Sequence, residues 1–256
     1  MNQFRAELKR LWKEFLVYPS EAIVSVIIIV AVFYGLFMGT RFMAGAEFEF
    51  GERLDQIIIG YVVWSFTIYG LNSIGQEMQH DAQVGALEQV FMSPYSPLRI
   101  FAIRTLADLL LNILMTLTVL VSIMLLSGRW LSFSLELLAP LVLIFCSVFA
   151  IAFFMGAIAL QVKQVTQLAA LGQFVLLFTI LTPFENFSGL MFYVGYLIPL
   201  SPSVAWLRES LTAASSVSTQ DMLAAALNTI LYCGFSLYLF KNRVAFVKRK
   251  GNLAWY

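Results

Sequence analysis

The sequence predicts an all-α integral membrane protein. It reads as one domain over 1–256 with six transmembrane helices, an N-terminal interfacial helix, a helical cytoplasmic loop and an extracellular re-entrant segment. Three observations lead there. Hydrophobic residues make up 60% of the chain and charged ones only 12%, against about 25% charged in an ordinary soluble domain. A soluble globule could not cover its surface from so few polar groups, and disordered chains are poor in apolar residues. Next, stretches without Asp, Glu, Lys or Arg run over 22–40, 56–76, 109–128, 137–162, 164–184, 186–207 and 222–240. Each is near the roughly 20 residues a helix needs to cross the hydrocarbon layer. Finally, the basic residues fall very unevenly between the two sets of loops.

The first element is an amphipathic helix expected over 2–18. Phe4, Leu8, Leu11, Trp12 and Phe15 recur at helical spacing, with Arg5, Lys9, Arg10 and Lys13 on the other side. An apolar face opposite a basic one describes a helix lying in the membrane interface. Pro19 is expected to break it before the first span. The first apolar run begins at Ala22 and is long enough to span, so no cleavable signal is expected.

Membrane spans follow at about 22–40, 56–76, 105–127, 137–160, 165–184 and 222–240, all rich in Ile, Leu, Val and Phe through their centres. The remaining stretch, 186–207, differs: it carries Gly189, Gly195, Pro199 and Pro202. Two prolines would leave backbone groups that lipid cannot satisfy. This segment reads as a re-entrant or interfacial pair of short helices. Cys146 and Cys233 lie deep in apolar runs and read as small buried thiols, not as a disulfide or metal pair.

Six spans place both termini on one side. That face collects twelve basic residues: Arg5, Lys9, Arg10, Lys13, Arg99, Arg104, Lys163, Lys241, Arg243, Lys248, Arg249 and Lys250. The other holds four, Arg41, Arg53, Arg129 and Arg208. The positive-inside rule makes the first face cytoplasmic. Seven spans would put the basic C-terminal tail outside. The outer face is acidic (Glu47, Glu49, Glu52, Asp55, Glu136, Glu185, Glu209 and Asp221), and these read as solvated loop charges.

Most catalytic chemistry is excluded. The only histidine, His80, falls in a loop after the second span, so no base sits where an intramembrane serine nucleophile would need one. No cluster has metal-ligand spacing, and no G-x-x-x-x-G-K-[ST] loop is present to cradle nucleotide phosphates. The basic tail KNRVAFVKRKG is short and juxtamembrane, which suits orientation and anionic lipid more than nucleic acid. Asp108 reads as a boundary acid paired with Arg104 one turn earlier. Without charges at mid-membrane to bind a coupling ion, the energy source is expected outside the chain. A secondary transporter working alone and a membrane scaffold are the rival readings.

The most informative loop lies between spans two and three. Residues 82–92 are predicted to form a short helix, with Val84, Leu87 and Phe91 as one apolar stripe. Glu88 and Gln89 lie beside the stripe and Met92 off it. Ser93-Pro94 stops the helix and Pro97 begins the run into span three. A short amphipathic helix held between two spans suits docking on a soluble partner; the alternative is a helix touching only lipid.

Gly85-Ala86-Leu87-Glu88-Gln89-Val90-Phe91-Met92-Ser93-Pro94 resembles the G-[TS]-L-E-x-(apolar)2-x-S-P segment of the type-2 ABC exporter permeases, the membrane subunits of ATP-driven exporters. Ala86 replaces the usual hydroxyl residue. The broken segment is similar too: Ser188-Gly189-Leu190-Met191-Phe192 and Ser201-Pro202 with Arg208 follow the family pattern, although Tyr193 stands where proline is common. The resemblance implies a homodimer of permeases, with two ABC ATPase subunits docked on the cytoplasmic loops and binding the ATP and magnesium; this chain itself needs no cofactor. It implies coupling through Val84, Gly85, Leu87, Glu88, Phe91, Ser93 and Pro94, with Leu87 and Phe91 entering one groove of the ATPase. It also implies a bacterial plasma or inner membrane and an amphipathic cargo. Glu7-Leu8-Lys9-Arg10 matches the polysaccharide-exporting branch poorly, which favours the drug- or lipid-like branch. Polar span residues expected along a translocation path are Tyr61, Thr67 and Asn72 in span two and Gln173 and Thr179 in span five, although such residues more often join helices by hydrogen bonds.

Overall fold

The computed structural model describes residues 2–44, 53–128, 130–131, 134–162, 165–211 and 218–250. Among them every regular element is helical. The α-helices are α1 (Asn2–Val17), α2 (Pro19–Ala44), α3 (Arg53–Gln83), α4 (Ala86–Met92), α5 (Pro97–Ser127), α6 (Leu138–Ala159), α7 (Val165–Leu181), α8 (Leu190–Leu197), α9 (Ser201–Leu211) and α10 (Thr219–Lys250). Glu47, Glu49, Glu52, Arg129 and Lys163, which the charge pattern places in loops, lie outside the described residues.

Five helices are long and apolar enough to cross a membrane: α2, α3, α5, α6 with the turn before it, and α10. α7 has 17 residues, roughly 25 Å of helix, the lower limit for a span. It stops at Leu181, short of the expected 184, because Pro183 and a 3₁₀ turn over Phe184–Asn186 intervene. The stretch after it is a pair of short helices, α8 and α9, bent by 104°. The bend falls between Pro199 and Pro202, where Leu200 takes a left-handed φ of 71° with its side chain fully buried. Pro202 lies in the first turn of α9, where its missing N–H leaves no helical bond unmade.

Several boundaries correct the reading from charge-free runs. Pro19 does not merely end the first helix; it opens α2, with Tyr18 alone between them. α3 and α10 run past the last apolar residue to Gln83 and Lys250, since a charge leaving the hydrocarbon does not interrupt backbone hydrogen bonding. Residues 82–92 are therefore not one helix: Gln83 ends α3, Val84 and Gly85 turn, and α4 begins at Ala86.

α3 and α6 form the centre of the bundle, with α5 and α7 packed on α3 and α10 on α6. The apolar stretch of α3 is 67% buried, that of α2 only 6%, so α2 is peripheral and shows most of its side chains to its surroundings. The α3–α6 contact is close because small residues line it. A Cβ on Gly70 would come 2.2 Å from Val148 Cγ1, and one on Gly156 2.4 Å from Ile74 Cγ2. In lipid, where apolar burial gives little drive, such close backbone packing and interhelical hydrogen bonds hold helices together. Tyr61 donates to the Ile29 carbonyl at 2.6 Å, joining α3 to α2; Trp64 Nε1 donates to Gln173 O at 2.9 Å, joining α3 to α7. Ser147 and Thr229 share a hydrogen bond of 3.0 Å between α6 and α10. Cys146 and Cys233 are free thiols, half-buried, with Cys233 Sγ donating to the Cys146 carbonyl.

Candidate functional site

α4 sits where α3 ends and α5 begins. Gly85 takes φ 72° just before it, a left-handed conformation that glycine adopts without strain. Ser93 ends the helix in extended backbone, as the residue before Pro94 must, and its Oγ accepts from Tyr95 N at 3.3 Å. Ser96 Oγ then caps α5 by accepting from Arg99 N, with Pro97 at the first helical position. The Ser-Pro sequence thus separates two helices whose ends lie side by side.

The apolar face of α4 is turned inward. Leu87, Val90 and Phe91 are buried in the main core, and the Lys248 ammonium lies 6.0 Å from the centre of the Phe91 ring, which ties α4 to the end of α10. The expected Val84–Leu87–Phe91 stripe is corrected: Val84 lies in the turn and is 61% exposed, and Val90 completes the buried face. Met92, expected off the stripe, is 76% exposed. Glu88 and Gln89 are exposed beside it. Leu87 and Phe91 therefore grip this chain, and a partner would meet Val84, Glu88, Gln89 and Met92.

A cavity of about 590 Å³ opens between α1, α3 and α5. Its wall carries a charge network that joins three helices. Arg104 on α5 donates to Asp81 at 2.9 Å and lies 3.1 Å from Glu77, both on α3. Arg10 on α1 pairs with Glu7 and reaches Glu77 at 4.0 Å. These bonds correct the expected Asp108–Arg104 pair. Arg104 turns across to α3, away from Asp108.

The five expected path residues are not brought to one surface. Tyr61 is buried against α2, and Thr67 is fully buried with its hydroxyl on Val63 O. Gln173 meets Trp64 through its carbonyl, and Thr179 is half-buried on α7. Asn72 is the one of the five that lines the cavity, donating to Ile68 O and accepting from Gln76.

At the other end of the bundle, Glu185 is not the expected solvated loop charge. Arg208 is 4% exposed and donates to Glu185 at 3.0 Å and to the Ile180 carbonyl, so it fastens α9 to the end of α7. Nothing in their spacing, 23 positions apart across a broken segment, signalled that pairing.

No curated protein matches the chain. Residues 2–212, however, match the ABC-2 type transporter family, and the match runs from α1 through α9, taking in the α4 loop, the cavity and the broken segment. The family is a membrane transport domain that carries no ATPase motif of its own, in keeping with the missing phosphate loop. A multi-pass helical chain matched over most of its length in this way belongs to the ABC-2 type transporter family.

Proposed function

We propose that this chain is the membrane-spanning subunit of an ATP-driven exporter. Two copies form the translocation path, and two separate ATPase subunits bind the ATP and magnesium. The observation that carries the reading is α4: a seven-residue helix whose apolar face is locked into the bundle while Glu88, Gln89 and Met92 face outward. A force applied to its outer face passes through Leu87, Val90 and Phe91 to the core shared by α3, α5 and α10. That is the construction a transmitting element needs, with a soft surface for the partner and a rigid one for the spans.

The six spans are α2, α3, α5, α6, α7 and α10, with α8 and α9 as an extracellular re-entrant pair. Both termini and α4 are cytoplasmic, supported by the twelve basic residues on that face. The membrane is a bacterial plasma membrane. Exposed apolar residues along α2 and at Phe174, Val175 and Phe178 of α7 offer surface for lipid and a second copy. The cargo is amphipathic, of the drug- or lipid-like kind.

Two measurements test this. The purified chain should hydrolyse no ATP above background, and hydrolysis with transport should appear when its ATPase is added to vesicles. Hydrolysis that persists after every co-purifying protein is removed would refute the reading. For orientation, single cysteines are placed at Ser188 and Gln83 in a chain with Cys146 and Cys233 replaced. An impermeant thiol reagent should label Ser188 in intact cells and leave Gln83 unlabelled; the opposite pattern inverts the topology.

A further inference from the structure

We propose that the cavity between α1, α3 and α5 binds the primary ammonium headgroup of a cationic amphiphile. This rests on the exporter reading for its role as a loading site, but the binding chemistry stands on three features of the cavity itself.

The first is its charge. Glu14, Glu77, Asp81 and Asp108 line it together with Arg10, Arg104 and His80. Both guanidiniums are already engaged: Arg104 by Asp81 and Glu77, Arg10 by Glu7, Glu14 and Glu77. Asp108 forms no ion pair among the described residues, and Arg10 acts on it only from beyond contact. Asp108 is a half-buried carboxylate on the cavity wall with no cation in contact, and such a group attracts one.

The second is a set of unused oxygen atoms. Thr105 is 1% exposed and its Oγ1 has no hydrogen-bond partner; the Tyr69 hydroxyl is likewise buried and unpartnered. Both residues line the cavity with Asp108. Buried polar groups are nearly always hydrogen-bonded. An ammonium carries three donors and no acceptor, which suits one carboxylate and two hydroxyl oxygens. An anion would face the excess of carboxylates. A metal ion would need convergent ligands, and the described residues hold no group of three His, Cys, Asp or Glu that could supply them.

The third is place and size. At about 590 Å³ the cavity is large enough for a headgroup and the start of its chain. Leu11 and Glu14 of α1 form one wall, so an amphiphile in the adjacent leaflet can offer its headgroup past the interfacial helix.

The test uses the full-length chain in phosphatidylcholine nanodiscs, without ATPase. The probe is dansylcadaverine, an amphiphile with a primary ammonium; dansyl-aminohexanoate presents a carboxylate on a similar chain. Binding above empty discs should be saturable for the first and absent for the second. Asp108→Asn should weaken it about tenfold or more, the scale of a hydrogen bond to a charged group. Tyr69→Phe, a milder change that leaves the packing intact, should weaken it severalfold with the melting temperature unchanged. Equal binding of both probes, no saturable binding, or unaltered affinity in Tyr69→Phe or a folded Asp108→Asn chain would overturn the proposal. Association with the ATPase is scored separately. A chain that assembles with its ATPase but binds no ammonium refutes this site alone, and one that binds ammonium but no ATPase refutes the exporter reading alone.

Discussion

Replacing Arg208 with methionine is expected to destabilise the permease by about 3–5 kcal/mol, the cost of breaking a buried ion pair from one side. That is a large share of the roughly 5–15 kcal/mol that holds a typical domain together. Arg208 is 4% exposed, and its guanidinium satisfies the Glu185 carboxylate and the Ile180 carbonyl at once. Without it the last turn of α7 keeps an unpaired carbonyl and α9 loses its link to the turn before α8. Arg208→Lys should lose less, because a point charge keeps the Coulomb attraction but not the fork that reaches two acceptors. Glu185→Leu should be about as damaging as Arg208→Met, since a guanidinium cannot shed its proton to escape an apolar site. The double change Arg208→Met with Glu185→Leu should recover part of the loss, as expected when both buried charges go together. Thermal unfolding of the solubilised chain measures all four. Wild-type melting in Arg208→Met would show that the pair contributes nothing to holding α9.

The helices of this chain were legible because lipid imposes a strict rule on sequence: a span must be apolar throughout, so counting uncharged residues finds it. The same count misplaces helix ends. α3 continues through Glu77 and Asp81 to Gln83, because charges at the membrane boundary cost a helix little once water or a partner is in reach. The broken segment was legible from Pro199 and Pro202, since proline removes a donor whatever the tertiary context.

Partner choice was less legible. Arg104 and Asp108 are one turn apart on α5, and spacing alone pairs them; the packing of α3 brings Glu77 and Asp81 nearer. A hint lay in Glu77 and Asp81, themselves one turn apart at the end of a span, where two acids on one face call for a cation. The register of the short loop helix failed for a different reason. Periodicity shows that Val84, Leu87 and Phe91 share a face, but only if one helix contains all three. Gly85 at φ 72° ends that continuity, so Val84 leaves the stripe and Val90 joins it. Nor does an apolar stripe say what it packs against: in α4 the answer is this chain's own core.

That inversion sets the expected behaviour of α4 variants. Phe91→Ala removes a ring from a buried site, a change that typically costs about 3–5 kcal/mol where the neighbours cannot close the gap. Much of that loss should fall on the attachment of α4 to the bundle, since α4 is short and Leu87 and Val90 are its other buried anchors. The outer face keeps its composition, so on the proposed exporter function the ATPase should still bind, and its motion should no longer reach the spans. The expected signature is normal co-purification of the ATPase, near-normal hydrolysis, and transport reduced at least tenfold. Met92→Ala should do the reverse. Its side chain, 76% exposed, contributes little to folding, and as an interface contact its truncation should cost about 1–2 kcal/mol, roughly five- to thirtyfold in ATPase affinity. Glu88→Gln, at the rim of the same face, should act mildly and mainly at low salt, because screening weakens an exposed charge pair. Pull-down of the ATPase on each variant, beside transport in vesicles and melting of the permease alone, separates the three. If Phe91→Ala releases the ATPase while the permease melts as wild type, and Met92→Ala binds it unchanged, then the partner enters from the inner face and α4 must swing out of the bundle to be gripped.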